Sequence, residues 1–180
     1  LRTMRIKRFS AVLVAAVFLS TSSVSAQRAD DADRASKNGK TEATIGSVNV
    51  TLEYGRPNVK EREIWGALVP MGELWRTGAN EATTIALDGD VTVEGEALPA
   101  GTYSVFTIPG DSEWTIVFNK VASQWGSFNY DSEQDALRVT VTPVEIEHVE
   151  SMEFTVDEST VMLRWEKVGV PFEIASVEAE

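Results

Sequence analysis

The feature that most constrains this chain is a spacing of two. Val48, Val50, Leu52 and Tyr54 alternate with Asn49, Thr51 and Glu53, the pattern of a strand with one buried face. Ile85 and Leu87 run into Asp88-Gly89, a hairpin signal, and on to Val91 and Val93. "LPAGTYSVFTIPGD" reads as turn, strand and turn, and "EWTIVFNK" sets Trp114, Ile116 and Phe118 on one face. Leu137, Val139 and Val141 repeat the alternation, as do Met152, Phe154 and Val156, then Val161, Leu163 and Trp165. Val168, Val170, Phe172 and Ile174 close the series, with Pro171 on the opposite parity, where it suits an edge or a bulge. No long helical period competes. The expected fold is all-β: an antiparallel β-sandwich, jelly-roll-like or a flattened barrel, of about nine strands. The connections are too short for crossover helices, which makes the pairing antiparallel.

The start of the chain has a different character. Arg5, Lys7 and Arg8 precede an apolar run from Ala11 to Leu19, and Val24-Ser25-Ala26 ends it with small residues. This is the layout of a secretory signal peptide over residues 1–26, cut after Ala26, and it is too short for a membrane span of about 20 residues. The polar stretch that follows predicts a flexible leader over 27–43, a single sandwich domain over 44–176 and a tail over 177–180. With no cysteine there is no disulfide, and the expected location is the bacterial periplasm or the exterior. The net charge of −12 opposes binding to nucleic acid or anionic lipid, and no membrane span is expected in the mature protein.

Two segments break the rhythm. Gly55 to Ala82 is long for a connection in a compact domain, and "REIWGALV" within it predicts a short helical turn burying Ile64, Trp65 and Leu68. Ser123 to Asp135 is the second. The stretches "EYGRPNVKEREIWGALVPMGELWRTGANEAT", "LPAGTYSVFTIPG", "WTIVFNK" and "QWGSFNYD" resemble the bacterial family known as domain of unknown function 2911. The likeness covers nearly all of Thr44 to Ile174. It implies an exported, β-rich single domain and carries no activity or catalytic residue with it. Glu61 departs from it, standing where the family pattern has glycine.

Little in the chain supports familiar catalysis. His148 is the only histidine, so a zinc site of nitrogen and sulfur ligands cannot be assembled, and no cofactor is expected. Asp131, Glu133 and Asp135 lack the glycine and the closing glutamate of a calcium loop and read as a solvated turn. There is no G-x-S-x-G. The candidates are binding residues in the two interruptions. Arg56 and Arg76 offer forked donors for a carboxylate, phosphate or hydroxyl. Trp75 and Trp125 offer ring faces. Asn80, Glu81, Asn129, Tyr130 and Asp131 complete the set. A structural reading of "WRTGANEAT" is equally coherent and is favoured. In it Arg76 pairs with Glu81 and with carbonyls, Asn80 caps a turn, and Trp65 and Trp75 plug the open end.

The function expected is non-catalytic: an exported domain binding a small polar or carbohydrate ligand, or a protein partner, where the two interruptions meet. One alternative is a glycosidase-type hydrolase using Glu81 and Asp131. Another is an accessory envelope domain with no small-molecule site.

Overall fold

A computed structural model describes residues 28–177. The expected signal segment lies outside the described residues. Ten strands follow in chain order: β1 Lys37–Ile45, β2 Val48–Arg56, β3 Thr83–Leu87, β4 Val91–Val93, β5 Glu96–Leu98, β6 Gly101–Ile108, β7 Trp114–Asn119, β8 Asp135–Val141, β9 Val144–Asp157 and β10 Thr160–Ser176. A six-stranded antiparallel sheet runs β1-β2-β3-β6-β7-β8, and a four-stranded one runs β5-β4-β10-β9. Their inner faces pack together as a sandwich. Leu52, Ile85, Val105, Ile116 and Phe118 come from the large sheet; Val93, Phe154, Leu163, Phe172 and Ile174 come from the small one.

Three features differ from the sequence expectation. First, the leader expected over 27–43 is ordered structure for much of its length. Lys37 to Ile45 pair with β2 from Lys37↔Arg56 to Ile45↔Val48. Only Ile45 of β1 is buried, so an edge strand with polar side chains hides its identity from any hydrophobic period. Second, the runs ending at Trp165 and starting at Val168 are one strand. The register against β9 shifts between Arg164 and Glu166 and again between Glu166 and Val168, and Glu166 adopts φ 56°. Bulges keep the strand continuous where its polar break suggests a turn. Pro171 lies between the last β9 partner, Gly169, and the first β4 partner, Ile174, where no ladder bond is lost. Third, the "REIWGALV" segment turns as expected, but as an irregular hydrogen-bonded turn rather than a helical one. Val69 N–H donates to Ile64 O at 2.9 Å and Gly66 N–H to Val69 O at 2.9 Å; Ile64 is buried, while Leu68 is exposed. The short helix that does form is 3-10, Ser132–Gln134, in the second interruption.

The long first loop is fastened by aromatic packing. Trp65 meets Trp75, Trp114 and Trp165 edge-on at centroid distances of 5.8, 5.0 and 5.6 Å, and Trp75 stacks on Trp165 at 5.7 Å. The loop also presses on β2. A Cβ added at Gly55 would stand 2.1 Å from the carbonyl oxygen of Ala79. At the other side of the loop's root, the Tyr54 hydroxyl accepts the Phe154 N–H at 3.1 Å, and Thr41 Oγ1 donates to Phe154 O at 2.9 Å, closing the seam between the sheets.

Gly55→Ala is expected to lower the unfolding free energy by about 1–3 kcal/mol, because two backbones must separate to admit one methyl. Urea denaturation checks this, and an unchanged midpoint would contradict the contact. Glu61 sits at φ 57°, a conformation that glycine adopts without steric cost, so Glu61→Gly is expected to stabilise by roughly 0.5–1 kcal/mol in the same assay.

Candidate functional site

The opening of the site is a strained piece of backbone. Thr77 has φ 55° and Asn80 φ 64°, with Gly78 between them at φ 150°. A β-branched residue at positive φ costs on the order of 1–3 kcal/mol and persists only where neighbours hold it. Thr77 is held on three sides. Its hydroxyl bonds to Trp75 O and to Thr107 Oγ1, its carbonyl accepts Thr83 Oγ1–H at 2.6 Å, and the backbone bonds between Trp75 and Thr107 flank it. Gly78 has no alternative residue, since a Cβ there would meet Gly55 O at 2.8 Å. The kinked segment therefore leaves Trp75 pointing into the core, 8 % exposed, and sends the chain on to Glu81, just before β3.

There the two interruptions meet. Glu81 bridges Trp125 in an antiparallel β-bridge; Ala82 N–H donates to Gln124 O at 2.9 Å and Gly126 N–H to Asn80 O at 3.2 Å. Beneath them, on the outer face of the large sheet, Ala82, Phe106 and Val117 form a small second core covered by Leu74 and Tyr130. Gln124 is buried against that face. Its amide nitrogen donates to Ser104 Oγ, Asn119 Oδ1 and Val121 O.

Glu81 is bound by residues that the sequence reading assigned to a flexible leader. Arg34 donates through both terminal nitrogens to the two carboxylate oxygens at 2.6 and 2.8 Å. Arg28 adds a bond at 3.3 Å and spends its remaining terminal donors on the carbonyls of Glu53, Glu81 and Ala82. The Arg28 side chain is only 6 % exposed. The Arg34 hydrogen bonds, helped by the charges of Arg34 and Arg28 and opposed by burial, hold the Glu81 carboxyl at about 2 against an ordinary 4.5. Arg34 also lies over the Trp125 ring, 5.7 Å from its centroid.

The expected pairing of Arg76 with Glu81 does not form. Among the described residues the Arg76 guanidinium has no hydrogen-bond or ion-pair partner, its Nε is buried, and burial alone pushes it below its ordinary value. Arg56 is committed elsewhere, donating Nε–H to Met152 O at 3.0 Å beside Glu153. Asn80 donates to Ser36 O rather than capping its own turn. Tyr130 bonds to side chains, donating to Asp135 Oδ2 at 2.7 Å and accepting from Arg138 at 2.6 Å. Asp131 accepts the Glu133 N–H and caps the 3-10 turn, and Asn129 is exposed. Of the nine candidates, Glu81 and Trp125 share one cavity, and Trp75 and Arg76 share another.

That cavity, about 280 Å³, is lined by Arg28, Glu81, Thr84, Ser123, Gln124 and Trp125. Trp125 is 55 % exposed, and the neighbouring Phe128 is 85 % exposed. Arg28 Nε and Gln124 Oε1 are buried without a partner among the described residues, one a donor and the other an acceptor. Arg28, Arg34, Thr84 and Gln124 escaped the sequence reading. The one signal for the arginines was their presence, six residues apart, in a leader otherwise rich in aspartate. Among the described residues no group of three acidic or histidine side chains could hold a metal, and no helix is long and apolar enough to cross a membrane.

Because the folded value of Glu81 lies below its unfolded one, its stabilisation is complete above about pH 4.5 and is lost as the pH falls toward 2. Glu81→Gln is expected to flatten the stability profile across that window and, by leaving Arg28 unpaired, to cost about 1–3 kcal/mol at neutral pH. Denaturant titrations at several pH values check both effects.

No curated protein and no solved structure matches the chain. A family match does exist. It runs over residues 36–174, from the residue before β1 to two residues short of the end of β10, and on that match the chain belongs to the family described as protein of unknown function DUF2911.

Proposed function

We propose that this protein is an exported, non-catalytic binding domain that takes a small hydroxyl-rich ligand, of carbohydrate type, in the cavity between Glu81 and Trp125. The observation that carries the reading is the pairing of an orphaned donor with an orphaned acceptor beside an exposed indole. Arg28 Nε has a hydrogen to give, Gln124 Oε1 a lone pair to offer, and both are buried. A hydroxyl does both at once, so a sugar carrying neighbouring hydroxyls answers each. Each unmet group costs on the order of 1–3 kcal/mol, which a ligand recovers on binding. The free face of Trp125 suits the apolar face of a sugar ring. Export rests on the signal-type segment at residues 1–26 and places the ligand outside the cytoplasm.

The hydrolase reading is less well supported. A carboxyl held at about 2 stays ionised near neutrality and has no proton to donate to a leaving group. Asp131, its expected partner, does not line the cavity and is occupied at the 3-10 turn.

Thermal-shift and calorimetric screening against mono- and disaccharides tests the proposal. A saturable sugar response is expected, weakened about tenfold or more in Trp125→Ala, since loss of one stacking surface is worth around 1.4 kcal/mol. No response to any sugar, or equal binding by the variant, would remove the reading.

A further inference from the structure

We propose a second ligand site, in which a cavity of about 250 Å³ binds a small monocarboxylate with an apolar body through the guanidinium groups of Arg76 and Arg62. It shares no lining residue with the cavity at Trp125 and does not depend on the reading above.

The charged side chains of this cavity are of one sign. Arg62, Arg76, Trp165 and Ser36 line it, and no carboxylate does. That is unusual in a chain with 28 acidic residues and a net charge of −12. Arg76 Nε and Trp165 Nε1 are both buried without a partner among the described residues, and both are donors. Trp165 is 1 % exposed, so water does not reach its indole freely. Arg62 is anchored from behind. Its Nε donates to Val59 O at 3.0 Å and its Nη2 to Asn58 O, which leaves Nη1 uncommitted. The pattern is complementary to an acceptor-only group with negative charge, and a guanidinium fork matches the two oxygens of a carboxylate.

The remaining walls select the body of the ligand. Trp75, Trp165, Leu68 and Val69 are apolar or aromatic. A dianion such as phosphate would leave charge against those walls, whereas a monocarboxylate with a ring or short chain places its charge on the arginines and its body against Leu68, the exposed one of the four. The volume equals roughly eight waters at about 30 Å³ each, the size of a benzoate-like acid. An uncompensated guanidinium at rest is the cost of such a site.

Isothermal titration of the protein with sodium benzoate tests this, with benzamide and inorganic phosphate as comparisons. Benzoate is expected to saturate and to bind about tenfold or more tightly than either comparison. Arg76→Gln and Arg76→Met should each weaken benzoate about tenfold or more. Both should melt at or above the wild-type temperature, because the charge they remove has no partner to lose. Trp125→Ala should bind benzoate as the wild type does, which separates this site from the sugar cavity. The proposal is overturned by absence of saturation at about 10 mM, by benzamide or phosphate binding equally well, or by unchanged affinity in the Arg76 variants. It is equally overturned if Trp125→Ala loses benzoate, or if both Arg76 variants melt far below the wild type, which would make Arg76 a structural anchor.

Discussion

Four indoles hold this molecule's architecture together. Trp65 comes from the long first loop and touches Trp75 from the same loop, Trp114 from β7 of the large sheet and Trp165 from β10 of the small one. One side chain therefore ties the irregular segment to both layers at once. Large aromatic rings bury more surface than any other side chains and prefer the edge-on contacts seen here. A loop of this length would otherwise pay heavily in chain entropy to lie still. The bulges around Glu166 follow directly along β10, and they switch the buried face from the parity of Val161, Leu163 and Trp165 to that of Val170, Phe172 and Ile174.

The fixed loop then decides which charges meet. Its strained end carries Glu81 to the start of β3, where Arg28 and Arg34 close on it, while Arg76, five residues earlier, has no acidic partner among the described residues. Two cavities of different chemistry result from one stretch of chain. One combines an unpartnered donor and an unpartnered acceptor beside an exposed ring; the other brings two arginines together with no carboxylate. In a protein with so acidic a surface, both cavities draw on arginine, and in neither does the arginine come from a regular element.

The sandwich was legible because alternation survives wherever a strand has a buried face, as in Val48 to Tyr54 and Trp114 to Phe118. It fails where the face is solvent. β1 carries Lys37, Lys40 and Glu42 at a sheet edge and has no period to read. The meeting of the two interruptions was also legible, since Glu81 and Trp125 form a bridge. The partners of Glu81 were not. Arg76 is closer in sequence, but the left-handed turns at Thr77 and Asn80 rotate it out of reach, and arginines from the leader take its place. Local spacing predicts a pair only when the backbone between is regular. Tyr130, a candidate for binding, shows the same limit, because its hydroxyl is taken up by Asp135, where β8 begins.

The distribution of the tryptophans has an optical consequence. Of five in the chain, four sit within a few ångströms of one another in the interior, and Trp125 alone stands in water. Interior rings so close and so fixed in orientation couple their electronic transitions and exchange excitation, giving a strong near-ultraviolet dichroic band that reports on the joint between the two layers. The outlying chromophore emits to the red and is open to aqueous quenchers such as iodide. A single spectroscopic sample thus contains two separable signals, one for the integrity of the scaffold and one for events at its rim.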